Sequence, residues 1–337
     1  MVDENSRHLF PCPWFKLPEG EKHQLQIPVV SGPDGSVISI PLLVIRGTQE
    51  GRTLLVSGGI HGDEFEGPAA IWKIYQELSP EEISGTFVGV PVVNVPAFEA
   101  GRRMNYDRQD LARVFPGNTQ GTTTERIAHA FTHHCIAHAD YYCDLHSAGQ
   151  FYEIMPLVGY GLSEGPSLDI QREMANCFGI PFVWGTSPLP GRTLSAAREW
   201  GIPAIYAELR GAGQCRTQDV QCYAYGIQQL LRQLDLVEQQ ADAFTPELIV
   251  EDPRDNSGFL QIQHRASAGG FFYSDYSIGD HVTQGTPIGQ ILDMLGNCID
   301  EVRCNQTGQI IFLRTFPRVR TGDAILNVLQ TESVPST

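Results

Sequence analysis

The chain is short of basic side chains. It has 23 lysines and arginines against 39 aspartates and glutamates, a formal net charge of −16. So acidic a chain lacks the cationic face that nucleic acid or an anionic membrane demands, and neither is an expected partner. An anionic small molecule stays open, because a local arginine cluster can act within an acidic protein. No apolar run approaches the length that spans a bilayer. The first residues, Met1 to Arg7, lack the basic-then-apolar pattern of a secretion signal, so a cytoplasmic enzyme is expected. No Cys-x-x-Cys pair occurs. The eight cysteines are scattered, which fits free thiols in a reducing compartment better than a disulfide framework or a thiolate zinc site. Lysine is absent after Lys73.

What is present is a globular chain of 337 residues, long enough for a large core and more than one domain. Strand-like runs at 24–30 and 37–46 flank a turn at 31–35, and 53–57 is an unbroken apolar strand of the doubly buried kind. The apolar spacing then predicts a helix at 67–78, a strand at 87–93, a helix at 125–139 and a strand at 140–145. Helices at 167–178 and 194–200, a strand at 204–208 and a long helix at 220–240 complete the series. Such alternation implies a mixed, mostly parallel sheet flanked by helices, an α/β fold whose ligands sit beyond the carboxyl ends of strands. Near residues 246–257 the character changes to short β-like runs between glycine turns. The expected division is a catalytic domain over 1–250 and a small all-β domain over 251–337.

One stretch stands out: Gly59-Ile60-His61-Gly62-Asp63-Glu64, where the buried strand ends and a helix begins. A His-x-x-Glu pair alone is weak, but a tight turn at a strand's carboxyl end would project both side chains together. Zinc takes neutral imidazoles and carboxylates and, in a catalytic site, three protein ligands plus water. His146, in Asp144-Leu145-His146-Ser147, ends another apolar strand and supplies the third; Asp144 and Asp63 are candidate supporting carboxylates. Glu208 ends a third apolar strand and is the candidate general base. His129, His133, His134 and His138 have helical spacing, yet they lie mid-helix without an acid to complete a set, so they read as a solvated or packed helix face. Arginines between residues 102 and 113 suit polarisation of a carbonyl or the clamping of a carboxylate.

Together the His61/Glu64 segment, the segment from Asn94 to Gly117, Asp144-Leu145-His146 and the Glu208 segment resemble the succinylglutamate desuccinylase/aspartoacylase family, a branch of the zinc carboxypeptidase-like fold. The resemblance runs from about Pro28 to the C-terminus. It implies one zinc per chain on His61, Glu64 and His146, with Glu208 as base, Arg103 polarising the carbonyl and Arg113 meeting a substrate carboxylate. Where the family carries Asp-Leu-Asn-Arg, this chain has Asp110-Leu111-Ala112-Arg113. The missing amide removes a hydrogen bond to a charged group, a loss of about 1.5–3 kcal/mol. Arg210, where the family often has glycine, could supply a replacement charge, and Arg192 and Arg198 are further candidates for substrate binding. The C-terminal β domain resembles a biotinyl/lipoyl-like barrel-sandwich hybrid without the carrier lysine, leaving it to shape the site entrance or mediate contacts in a homo-oligomer.

The expected activity is zinc-assisted hydrolysis of the amide in an N-acyl amino acid or related acylated amine. A zinc carboxypeptidase acting on peptides, or a catalytically silent zinc-binding protein of the same fold, are the alternatives.

Overall fold

The computed structural model describes residues 10–32, 34–162 and 166–330. Residues 1–9 and 331–337 of the two expected domains, and residue 33 in the turn at 31–35, lie outside the described residues. Among the described residues ten strands precede residue 253: β1 (Glu21–Ser31), β2 (Val37–Arg46), β3 (Gln49–Ser57), β4 (Ser84–Val90), β5 (Tyr141–Ser147), β6 (Tyr152–Ile154), β7 (Leu157–Gly161), β8 (Phe182–Thr186), β9 (Ala204–Leu209) and β10 (Leu248–Asp252). All but β6 form one sheet in the order β1-β2-β4-β3-β5-β9-β7-β8-β10. The central pairs β4/β3, β3/β5 and β5/β9 run parallel, as do β7/β8 and β8/β10. The pairs β1/β2, β2/β4 and β7/β9 are antiparallel, so the sheet is mixed.

Among the described residues six α-helices cover the sheet: α1 (Glu66–Glu77), α2 (Val95–Glu99), α3 (Thr123–His134), α4 (Pro166–Cys177), α5 (Thr193–Glu199) and α6 (Thr217–Gln233). On one face α3 and α5 bury Ile127, Phe131 and Ala196 against Leu42, Leu55 and Tyr142. On the other α1, α4 and α6 bury Ile71, Met174, Tyr223 and Leu230 against Leu54, Val56 and Ile205. Each such aliphatic or aromatic side chain, fully buried, contributes about 1.5–3 kcal/mol, which is why the central strands are apolar on both faces. The expected helix at 125–139 starts earlier and stops sooner. A capping box between Thr122 and Glu125 fixes its start, and the backbone tightens into a short 3-10 turn at Ile136–His138. The helix expected at 220–240 runs instead from Thr217 to Gln233. No helix among the described residues is long and apolar enough to cross a membrane.

The sheet continues through β10 to Asp252, so the change of character falls just beyond it. From there the chain is all β: β11 (His264–Arg265), β12 (Gly270–Tyr273), β13 (His281–Val282), β14 (Pro287–Leu292), β15 (Cys298–Arg303), β16 (Gly308–Arg314), β17 (Arg318–Val319) and β18 (Ala324–Gln330). They make two small sheets around Phe272, Ile288, Ile291, Ile310 and Ile325. β6, six residues past His146, pairs with β16 rather than with the large sheet. The nearly buried Arg314 reinforces that joint, donating to the Tyr152 hydroxyl at 3.1 Å and pairing with Asp323 at 3.2 Å.

Candidate active site

The carboxyl ends of β3, β5 and β9, three adjacent parallel strands, converge at one place. His146 and Glu208 are register partners across β5 and β9. His61 follows the end of β3 in a turn that only glycine permits at its next position, since a Cβ on Gly62 would lie 2.0 Å from the Ala97 carbonyl carbon. Glu64 lies three residues on, just before α1.

His61, Glu64 and His146 are all buried, and their candidate ligand atoms lie within 4.8 Å of one another. Both imidazoles turn Nδ1 toward the Glu64 carboxylate, at 2.6 Å for His61 and 2.9 Å for His146. Both turn Nε2 outward to a second carboxylate: His61 reaches Asp110 Oδ1 at 3.1 Å and His146 reaches Asp144 Oδ2 at 3.0 Å. With the proton on Nε2, each Nδ1 keeps its lone pair for a cation, the tautomer that a carboxylate partner selects in histidine metal sites. A donor set of two imidazoles and one carboxylate fits zinc. Burial alone would push Glu64 up, but the charges of His61 and His146 hold it well below the usual carboxylate range.

Asp144 is fully buried and accepts three hydrogen bonds, from His146 Nε2, from the Ser57 hydroxyl at 2.7 Å and from the Thr193 hydroxyl at 2.6 Å. Burial opposes its charge, and His146 with these donors outweighs it and lowers its pKa. Asp63 faces elsewhere. It accepts from the Gln150 amide at 3.1 Å and fixes the turn after His146 rather than touching a ligand.

Asp110 was legible only as part of an arginine-bearing segment, and the structure gives it a larger part. One oxygen accepts from His61 and from the Ala112 amide at 3.0 Å; the other accepts from Arg103 Nε at 3.1 Å and Nη2 at 3.0 Å. Arg103 Nη1 also lies 3.8 Å from Glu64 Oε1. A histidine ligand needs something on its outer nitrogen, and that requirement was the signal for Asp110. Thr193 and Ser57 gave no such signal.

Glu208 looks into the same space. Burial, with the nearby charge of Glu64, pushes its pKa up to about 7 against the pull of His146 and His61. The cleft beyond it measures about 1200 Å³, counting its open mouth, and is lined by Arg103, Ala112, Arg113, Arg192 and Arg198 among others. Arg113 and Arg192 pack on one ring, their guanidinium carbons 5.9 and 5.5 Å from the Phe259 centroid. Arg113 donates to the Ala112 carbonyl at 2.8 Å, and the buried Arg192 Nε has no partner among the described residues. Burial and the neighbouring Arg192 lower the Arg113 pKa to about 10. Arg198 sits exposed at the rim.

Arg210 does not supply the replacement charge. It points away from the cleft toward Glu153, 3.7 Å distant: β9 ends at Leu209, and Arg210 lies just beyond the strand. The four helical histidines are packed against the N-terminal segment. His133 stacks on Phe10 at 4.3 Å, His134 and His138 approach the carbonyls of Pro11 and Phe10, and His133 also meets Trp200.

A family model described as the succinylglutamate desuccinylase/aspartoacylase catalytic domain matches residues 50–234. A curated relative, the N-alpha-acetyl-L-2,4-diaminobutyric acid deacetylase of Halomonas elongata, is 32% identical over 316 residues, covering 91% of each chain. Among solved structures, the product-bound ectoine utilization protein EutE (DoeB) of Ruegeria pomeroyi superposes with a TM-score of 0.84 at 25% identity, over 94% of this chain and 98% of that one. A succinylglutamate desuccinylase/aspartoacylase from Rhodobacter sphaeroides gives 0.82 at 26% identity, over 96% and 99%.

Proposed function

Because the chain belongs to the succinylglutamate desuccinylase/aspartoacylase family, we propose that it is a zinc-dependent deacylase hydrolysing the amide of a small N-acyl amino acid, on a carboxypeptidase-like fold and in the cytoplasm. The observation that carries this reading is the meeting of His61, Glu64 and His146 with Glu208 at adjoining strand ends. The eight free thiols fit a reducing compartment.

One zinc held by His61, Glu64 and His146 would supply Lewis-acid activation of water and of the scissile carbonyl. Glu208 takes a proton from the attacking water and returns it to the leaving nitrogen. Arg103, fixed by Asp110, donates toward the oxygen on which negative charge develops. Asp110 and Asp144 hold the two imidazoles in orientation. Arg113 and Arg192 take the substrate carboxylate in the absence of the amide that Ala112 lacks; their uncompensated charges and shared ring support this assignment. The loop over Gly258 to Gln261 and Phe312 of β16 line the same cleft, which supports a role for the C-terminal module in shaping its entrance. Acetylated diamino acids, the substrate type in the name of the Halomonas relative, fall within the proposed class.

A mass-spectrometric screen of N-acyl amino acids with zinc-loaded protein, run beside Glu208→Ala, tests the proposal. The expected result is release of a free amino acid by the wild type and a loss of roughly 10²–10⁴ in rate in the variant. Equal rates in both would contradict it.

A further inference from the structure

The cleft continues past Glu208 into a chamber that catalysis leaves unused. Its floor is Tyr206, two residues before Glu208 on β9 and therefore on the same face of the sheet. The Tyr206 ring lies over Gly159, its antiparallel partner on β7; a Cβ there would stand 2.2 Å from the ring, so the missing side chain is what seats it. Burial raises the pKa of the Tyr206 hydroxyl, and the charges of Arg192 and Glu208 both reach it. Its hydroxyl has no hydrogen-bond partner among the described residues. The walls are Ile154, Leu189, Leu194, Leu260 and Phe312.

Polar groups at this end are partly committed, while the buried Ser187 hydroxyl has no partner among the described residues. Gln171 donates to the Gly161 carbonyl and accepts from the Ala204 amide, the Ser195 hydroxyl goes to the Leu189 carbonyl, and Thr193 goes to Asp144. Among the described residues, the acids lining the cleft are Glu64 and Glu208, both engaged in the proposed chemistry. A side-chain ammonium in the chamber would lie near Arg113 and Arg192, and the acid whose charge reaches it, Glu208, is committed to the proposed chemistry, so like-charge repulsion penalises that cation.

We propose that this chamber binds the side chain of the leaving amino acid, and that the side chain it selects is uncharged and apolar. The inference rests on the deacylase reading of the same cleft. Carboxylate and side chain branch from one carbon, so a carboxylate on the Arg113–Arg192 pair directs the side chain over Tyr206, while the acyl group lies on the far side of the scissile bond. One methylene in such a pocket is worth roughly tenfold or more in kcat/KM. A leucine-like group therefore gains where a short charged one loses.

The test uses the full, zinc-loaded chain. Its kcat/KM for N-acetyl-L-leucine is compared with those for N-acetyl-L-aspartate and Nα-acetyl-L-2,4-diaminobutyrate, and equilibrium binding of the three free amino acids is measured separately. The expected result is an advantage of about tenfold or more for leucine in both measurements. Equal or tighter binding of either charged amino acid overturns the chamber assignment whatever the turnover. Tightest binding of leucine with no acetyl compound hydrolysed supports the chamber and contradicts the deacylase reading instead. Leu260→Glu places a carboxylate in the wall, with Leu260→Gln as its uncharged control. The glutamate variant is expected to shift preference toward diaminobutyrate by about tenfold or more relative to the control. An unchanged ratio in a folded Leu260→Glu protein would also overturn the assignment.

Discussion

Asp110 faces His61 Nε2 at 3.1 Å with one carboxylate oxygen while its other oxygen clasps Arg103. One side chain thus sets both the ring that presents Nδ1 to the candidate metal and the guanidinium beside it. Partners on the outer nitrogen of a histidine ligand typically govern metal affinity by 10–100-fold. Asp110→Ala should therefore weaken zinc binding by about that factor in a chelator competition, and lower the rate besides. Zinc affinity equal to that of the wild type would show that the contact is incidental.

Thr193 offers a cleaner probe of Asp144, because it touches the buried carboxylate and not the ligands themselves. Thr193→Val keeps the shape and removes the donor. A hydrogen bond to a buried charge, once lost, costs about 1.5–3 kcal/mol. Urea unfolding should record a loss of that size, and a stability unchanged from wild type would contradict the buried network.

The arginines divide by position. Arg113→Ala is expected to raise KM for an N-acyl amino acid by about tenfold or more, from loss of a charge-assisted hydrogen bond, with a smaller effect on kcat. Arg210→Ala should leave both constants at wild-type values, since Arg210 points to Glu153 outside the cleft. The reverse pattern in steady-state kinetics would refute the placement of the carboxylate site.

His133 gives the fold an acid sensitivity remote from the cleft. Burial, then the charges of His129 and His134, lower its pKa to about 4, whereas an unfolded chain would take up the proton near the ordinary value of 6.5. The unfolded state therefore binds more protons between those values. The contribution of neutral His133 to stability is full above about pH 6.5 and is lost as the pH falls toward about 4. The Tm of the wild type should fall across that window by more than the Tm of His133→Gln. Parallel declines would mean that other groups carry the acid sensitivity.

The apolar strands and the residues at their ends were legible because both signals are local. A doubly buried strand is an uninterrupted apolar run, and a glycine-rich turn marks where it stops; Val56, His61, Leu145 and His146 all stand in such context. Strand order was not legible, for register between β5 and β9 joins residues about 60 positions apart, and only that pairing sets Glu208 beside His146. Asp110 was hidden for a similar reason, lying in a loop 49 positions from the histidine it orients. β10 and β6 escaped because three to five residues carry little periodicity, and each is defined by its partner rather than by its own pattern. Arg210 misled as a free charge. Glu208 faces the cleft, but β9 ends at Leu209, and beyond that end the Arg210 side chain turns to Glu153.

The central claim is that one metal on His61, Glu64 and His146 makes this chain a deacylase. Its most direct test is to strip the protein with a chelator, restore zinc in steps and follow hydrolysis of an N-acyl amino acid at each step, beside His146→Ala. The account predicts activity that rises linearly and breaks at one zinc per chain, with neither tight binding nor activity in the variant. Full activity in the stripped protein, or in His146→Ala, would contradict it.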